Sequence, residues 1–125
     1  MILDTCALLW LAQGGGKLSP SALKRIQAEP VVHVCAISGF EIGVKQRKGK
    51  LTLPATLETW FAAIIAHHDL SVLPLSLNEC IRAAELPQLH NDPCDRMIIV
   101  AALKGRHPVV THDKVFEKYG VEVVM

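Results

Sequence analysis

The chain has 125 residues, with 12 acidic side chains against 13 lysines and arginines, and a net charge of +1 at pH 7. Half of the residues are hydrophobic and 20% are charged, a balance that excludes disordered and fibrous classes. A chain of this length buries enough surface for one hydrophobic core, so we expect a single domain over residues 1–125.

No membrane span or secretion signal is predicted. The chain lacks an uninterrupted apolar run of about 18 residues, and its first residues lack the basic stretch and apolar core of a signal peptide. The cysteines form no Cys-x-x-Cys pair and lie in segments that we expect to be buried, at Cys6, Cys35, Cys80 and Cys94. Free thiols are typical of the cytoplasm, which is the expected location.

The chain begins with a predicted strand over residues 1–3, followed by a helix that Asp4 caps. Three glycines and a lysine at residues 14–17 end this helix. They look like a phosphate-binding loop, but Leu11 and Leu18 stand where that motif requires a glycine and a hydroxyl side chain. A helix stop is therefore the better interpretation.

A second helix is predicted over residues 19–29, because serine and proline begin it and proline follows it. Residues 31–36 are apolar and β-branched, as in a strand. Ser38 stands three residues before Glu41, which is the spacing of a capping box and predicts a third helix that ends near residue 49.

The second half continues the alternation. Helices are predicted over residues 56–65, 77–84 and 92–103, and strands over 71–75, 108–111 and 121–125. Because Pro74 has no backbone donor, the third strand should lie at a sheet edge or end at the proline. Alternating strands and helices predict an α/β fold with a five-stranded parallel sheet, helices on both faces, and a site at the C-terminal ends of the strands.

Four acidic side chains are candidates for one site: Asp4, Glu41, Asp95 and Asp113. Three of them follow predicted strands directly or nearly so, and Glu41 and Asp95 lie about one turn into predicted helices that should start at the same rim. Taken singly, each is explained as part of a helix cap. Taken together, they should meet at one rim, because parallel strands end at the same edge of the sheet. Four adjacent carboxylates repel one another unless cations neutralise them, and an oxygen-only ligand set favours Mg²⁺ or Mn²⁺.

Two further features have two interpretations each at this point. Basic residues cluster after Glu41, at Lys45, Arg47, Lys48 and Lys50. They either attract phosphate beside the acidic site or are cations favoured at a helix C-terminus. His112, beside Asp113, is either a base or a surface loop residue.

Two other acidic α/β architectures fit the chain less well. A phosphoacceptor receiver needs an aspartate after its third strand and a lysine after its fifth, whereas this chain has residues 74–76, Pro-Leu-Ser, and ends at Met125. A dehalogenase-type phosphatase needs a second aspartate at the position that Cys6 occupies.

Four short motifs occur in the order and spacing of a known family: Leu3-Asp4-Thr5, Ser38-x-x-Glu41-x-x-x-Lys45, His90-Asn91-Asp92-Pro93-Cys94-Asp95-Arg96 and Val110-Thr111-His112-Asp113. With them the chain resembles the PIN-domain family, and in particular the VapC-type toxin ribonucleases. The resemblance runs from residue 1 to residue 124. It departs from the usual pattern at Cys35, Cys94 and His112, which bears on substrate preference.

The resemblance implies a PIN-like three-layer fold and a metal-dependent endoribonuclease that hydrolyses RNA. The acids at positions 4, 41, 95 and 113 match the family's catalytic and metal-binding quartet, Thr111 matches its polar catalytic residue, and Asp92 is structural. Either one or two ions would bind. The alternative is a PIN-like module that has lost catalysis and only binds RNA or a protein.

The resemblance also implies a homodimer and a small cognate antitoxin as partners. The sequence adds its own reason for a dimer, since Leu9, Trp10, Leu11 and the helix from Thr56 carry more apolar surface than a small sheet obviously needs.

Overall fold

The centre of the computed structural model, which describes residues 1–125, is a five-stranded sheet. Its strands are β1 (Ile2–Leu3), β2 (Val32–Cys35), β3 (Leu70–Leu73), β4 (Val109–Val110) and β5 (Val123–Val124). They lie in the order β3-β2-β1-β4-β5, and every neighbouring pair is parallel. The predicted parallel α/β architecture is confirmed, although most strands are one or two residues shorter than predicted.

Six α-helices and one 3₁₀ helix connect the strands. They are α1 (Thr5–Ala12), α2 (Pro20–Ala28), α3 (Ile37–Arg47), α4 (Leu57–His68), α5 (Leu77–Glu85), α6 (Pro93–Gly105) and the 3₁₀ helix Lys114–Tyr119. Five α-helices begin at a side chain that accepts a backbone N–H, and these caps are Asp4, Ser19, Thr56, Ser76 and Asp92. No helix is long and apolar enough to cross a membrane.

The two faces of the sheet carry separate apolar cores, because successive strand residues point in opposite directions. Leu3 and Val34 belong to the first cluster, together with residues of α1, α2 and α4. Ile2 and Val109 belong to the second, together with residues of α6 and the 3₁₀ helix. This layering brings the first turns of α1, α3 and α6 to the rim where β1, β2 and β4 end.

Two predicted details of local structure have a definite outcome. The third strand lies at the edge of the sheet and also ends before Pro74, so both consequences of that proline are observed. The prediction that Ser38 caps the third helix is wrong. Helix α3 starts at Ile37, and its N-cap position, Ala36, has no side-chain cap. Ser38 is instead fully buried inside the helix.

The apolar surface invoked for a dimer is largely internal. Leu11 is buried, while Leu9 and Trp10 pack against the first core cluster together with half-buried residues of α4. The sequence argument therefore overestimated the surface left exposed by these segments, because one face of the sheet must be covered by three helices. The large apolar side chains that remain exposed lie elsewhere, and they include Phe40 and Leu77.

Candidate metal centre

The four acidic side chains line one cavity at the C-terminal rim of the sheet. Its volume is about 320 Å³. The lining consists of the four acids together with hydroxyl, thiol and aromatic side chains: Asp4, Thr5, Cys6, Trp10, Glu41, Asp95, Thr111, His112 and Asp113. The structure thus brings together every residue of the predicted catalytic set.

Asp4 is the most buried of the four acids, with 7% of its surface exposed. One carboxylate oxygen accepts the N–H of Ala7 at 2.7 Å, so this side chain is both a helix cap and a cavity wall. Burial is the main cause that raises the pKa of Asp4, and the Thr111 hydroxyl and the Ala7 N–H oppose it by stabilising the charged form. Capping and site formation are therefore compatible roles here.

Glu41 is oriented by a chain of two hydroxyl groups. Thr5 donates its hydroxyl hydrogen to Glu41 Oε1, and the buried Ser38 hydroxyl lies 2.9 Å from Thr5 Oγ1. Since a hydroxyl donates one hydrogen, Ser38 is the donor to Thr5. The other carboxylate oxygen of Glu41 lies 3.8 Å from Lys45 Nζ. The polar pattern that predicted a helix cap thus orients a cavity carboxylate.

Asp95 stands in the first turn of α6, where its backbone N–H is accepted by Asp92 Oδ1 at 3.0 Å. Asp92 is therefore the cap, and the Asp95 carboxylate is free to face the cavity. Burial is the main cause that raises the pKa of Asp95 to about 7, and the neighbouring Asp92 and Glu41 carboxylates contribute to the rise. The cavity brings several carboxylates together, and no lysine or arginine is among its lining residues.

Asp113 is held by its own helix and by a histidine. Its Oδ1 caps the 3₁₀ helix by accepting the Val115 N–H at 3.0 Å, and Thr111 Oγ1 accepts the Asp113 N–H. Its Oδ2 lies 2.7 Å from His90 Nε2, which is also 3.2 Å from Asp95 Oδ2. His90 therefore bridges two of the four acids.

The hydrogen bonds of His90 determine its chemical role. Because Nδ1 accepts the backbone N–H of Asp92 at 3.1 Å, the ring hydrogen is on Nε2, which donates it to Asp113. His90, Asp95 and Asp113 place ligand atoms within 4.8 Å of one another, but the donating Nε2–H makes His90 a partner of the carboxylates rather than a ligand. Sequence reasoning included His90 in the motif that carries the family resemblance but assigned it no role in the site.

The donor set fits a hard divalent cation. All four converging side chains offer carboxylate oxygens, and the raised pKa values of Asp4 and Asp95 show that the assembled site disfavours their charged forms. A cation bound among these oxygens reverses that penalty, because an opposite charge favours the ionised carboxylate. Oxygen-only ligation is typical of Mg²⁺ and Mn²⁺.

Cys6 departs from the expectation that the thiols are buried. It is exposed and lines the cavity, because the core-facing positions of α1 are Thr5, Ala7, Leu8 and Leu11, and Cys6 lies between them on the outer side. Of the other cysteines only Cys35 is fully buried, and all four are free thiols. The thiol next to Asp4 is thus part of the cavity wall.

The structure bears on the alternative interpretations of the basic cluster after Glu41 and of His112. Of the basic cluster, Lys45 lies beside Glu41, whereas Arg47, Lys48 and Lys50 are exposed at the end of α3, as helix-end cations are. His112 is exposed, as a surface loop residue would be, and its ring packs on Trp10.

Without metal, stability should fall as the pH rises through the pKa of Asp95. The folded pKa of about 7 lies above the ordinary value of 3.8, so this group's contribution is fully present below pH 3.8 and is lost as the pH passes 7. We expect the melting temperature of the chelator-treated protein to drop between pH 5.5 and pH 8, and to drop less in Asp95→Asn. Equal slopes for the two proteins would contradict the raised pKa.

Comparisons with known proteins identify the family of this fold. The PIN domain family model matches residues 1–122. Ribonuclease VapC22 of Mycobacterium tuberculosis is 24% identical over 115 residues, which cover 91% of this chain and 87% of that protein. A solved structure of FitAB bound to an IR36 DNA fragment aligns over 99% of this chain and 94% of its own with a TM-score of 0.65; at 16% identity, this likeness shows the fold. The chain therefore belongs to the PIN-domain family.

Proposed function

We propose that this chain is a metal-dependent endoribonuclease that hydrolyses RNA phosphodiester bonds, and that it is the toxin of a toxin–antitoxin pair. The observation that carries the proposal is the convergence of Asp4, Glu41, Asp95 and Asp113 on one open cavity. The similarity to a protein named as a ribonuclease supports RNA as the substrate. Reduced cysteines and an RNA substrate both favour a cytoplasmic location.

The proposed mechanism assigns separate tasks to the cavity residues. Asp4 and Asp95 would hold a divalent ion, and Glu41 and Asp113 would complete its ligand shell directly or through water. When bound, such an ion supplies activation of the attacking water and positive charge for the phosphate during in-line displacement. Thr111 would keep its hydroxyl beside Asp4.

The chain's own residues make this arrangement rigid before substrate arrives. The Ala7 N–H fixes Asp4, the Thr5 hydroxyl fixes Glu41, and His90 fixes Asp113. Preorganised groups contribute to catalysis because no reorganisation is needed at the moment of reaction. A site that only bound RNA would have no need for four carboxylates facing a polyanion, which is the reason to prefer catalysis over the binding module.

The decisive test is cleavage of RNA by the purified protein in Mg²⁺, in Mn²⁺ and in EDTA. We expect shortened products from an unstructured RNA with either metal and none with EDTA. If the RNA is retarded in a gel but not shortened under all three conditions, the chain is a module that binds RNA without cleaving it.

Metal binding itself should be visible as thermal stabilisation. We expect Mg²⁺ or Mn²⁺ to raise the melting temperature at pH 8 by mass action, with a stabilisation of RT ln(1 + [L]/Kd), and Ca²⁺ to bind without supporting turnover. Binding should release protons at pH 6, because it ionises Asp95. If millimolar Mg²⁺ and Mn²⁺ both leave the melting temperature unchanged and calorimetry detects no heat of binding, the proposed metal site is wrong.

The proposed partners are a second copy of the chain and a small antitoxin. One copy leaves large apolar side chains uncovered, among them Phe40, 66% exposed, and Leu77, 78% exposed. We expect a dimeric mass by light scattering at tens of micromolar in the absence of an antitoxin. A monomeric mass under these conditions would argue against the homodimer.

A further inference from the structure

Two aromatic rings stand at the wall of the acidic cavity. Trp10 lies on α1 and His112 lies in the loop after β4, and both line the cavity that the four carboxylates share. Their ring centroids are 4.6 Å apart, with an angle of 45° between the planes. The pair lies next to the candidate metal ligands along the chain, because His112 directly precedes Asp113.

Trp10 is fixed from behind by the glycine turn. The Gly15 N–H donates to the Trp10 carbonyl at 2.9 Å. Gly16 has a φ of +48°, and a Cβ at this position would lie 3.0 to 3.1 Å from Trp10 atoms. The turn therefore packs closely on Trp10 in a conformation that favours glycine, and this contact helps to hold the indole ring in place without any ligand.

His112 has no structural task that explains its position. It is exposed, its side chain makes no hydrogen bond or ion pair within the chain, and its one ring contact is with Trp10. Its neighbours on either side do have such tasks, since Thr111 is buried and Asp113 caps a helix. The backbone thus presents an aromatic ring to solvent at the edge of the acidic cavity.

We propose that Trp10 and His112 form a stacking platform for an unpaired nucleobase beside the scissile phosphate. This inference rests on the proposed ribonuclease function and adds a base-binding subsite to it. A base on the platform places its backbone next to Asp113 and Asp4, where hydrolysis would occur. Bases in a duplex have both faces covered, so they cannot stack on a protein ring without unpairing.

The size and chemistry of the cavity agree with this occupant. A volume of about 320 Å³ lies in the range of small-molecule sites and is larger than an ion requires. Aromatic side chains bind single-stranded nucleic acid by stacking, and every base offers a face for it. The platform should therefore select unpaired nucleotides with tolerance for the identity of the base.

Tryptophan fluorescence can report the stacking directly. The chain has two tryptophans, so Trp60→Phe leaves Trp10 as the single reporter. In this background, with Asp95→Asn added to keep the RNA intact, we expect a short single-stranded RNA to quench the emission in Mg²⁺. The same sequence as a duplex should not. Equal quenching by both forms would overturn the proposal.

A cycle of protein and RNA changes tests the platform at His112. His112→Ala should weaken binding of the single strand by about five- to 150-fold, the loss expected for one stacked base, and His112→Phe should retain binding. An RNA with one abasic position, scanned along the strand, should show a similar loss at one place and no further loss with His112→Ala. The matched control is His67→Ala, another exposed histidine in ring contact with a neighbour, which lies outside the cavity.

The results of these experiments distinguish failure of the stacking platform from failure of the proposed ribonuclease function. If His112→Ala binds as tightly as the parent, or if no abasic position weakens binding, the platform is wrong, and metal-dependent cleavage by the parent protein still supports the ribonuclease. If the parent cleaves no RNA in any metal, the proposed function fails first. Cleavage of duplex RNA at the rate of the single strand would also overturn the platform.

Discussion

Asp95→Asn should lower RNA cleavage by orders of magnitude while leaving the metal-free protein as stable as the parent or more so. Asparagine keeps the shape of the side chain and removes the charge that burial and neighbouring carboxylates disfavour. The same charge is needed to hold a divalent ion, so its loss removes the ligand without disturbing α6. Melting curves in EDTA and cleavage assays in Mn²⁺ measure the two effects separately.

Asp92→Asn is the control for this variant, because it lies three residues away and its carboxylate caps the same helix. Asparagine is nearly as good a cap as aspartate, so both stability and cleavage should stay close to the parent's. Asp92→Ala removes the cap and should cost about 1 kcal/mol of stability. If purified Asp95→Asn folds, binds metal normally and cuts RNA at the parent rate, the proposed mechanism is wrong.

The opposite forecasts for these two aspartates rest on a distinction that the family resemblance implied but the capping pattern did not contain. Both Asp92 and Asp95 belong to a capping pattern around Pro93, and either could serve as the cap. In the structure Asp92 accepts the N–H of Asp95, which leaves the Asp95 carboxylate free. Spacing therefore predicted where the acids lie but could not say which of them faces the cavity.

The architecture was predictable because several local signals agree. Apolar strands alternate with helices that begin at good caps, and a parallel sheet follows from that alternation. Asp4 and Thr111 follow adjacent strands β1 and β4, so the topology alone brings them to one rim. Strand ends were less predictable, since β1 and β4 pair over only two residues and their length is set by the register with neighbours.

Contacts between distant segments account for what sequence reasoning missed. Ser38 looked like a cap, but its partner is Thr5, 33 residues earlier, and that contact exists only once β1 and β2 are paired. His90 lies 23 residues before Asp113, in a loop whose conformation no local pattern specifies. Both residues are polar groups whose role depends on tertiary packing, and periodicity and capping rules use only the local sequence.

The loop that carries His90 depends on a single buried arginine. Arg96 is 7% exposed, and its guanidinium donates to five backbone carbonyls, those of Ala83, Ala84, Leu86, Pro87 and His90, at 2.7 to 3.4 Å. No carboxylate pairs with it, so carbonyl dipoles at the end of α5 and in the following loop stabilise its charge. Only the Pro87 carbonyl has other donors, the Leu89 N–H and the Tyr119 hydroxyl, so the remaining four would be left without a donor in the chain.

Arg96→Met should therefore lower the free energy of unfolding by at least about 3 kcal/mol, because one buried and three part-buried carbonyls lose their donor at once and each costs about 1 to 3 kcal/mol. Arg96→Lys keeps the charge but should also be destabilised, since one ammonium cannot reach carbonyls spread over the helix end and the loop. Arg82→Met, on the exposed side of α5, is the matched control and should unfold like the parent. Denaturant titration measures these differences, and hydrogen exchange at the His90 amide should speed up in both Arg96 variants. A loss below about 1 kcal/mol for Arg96→Met would show that water replaces the guanidinium, and the loop would then hold His90 against Asp113 by other contacts.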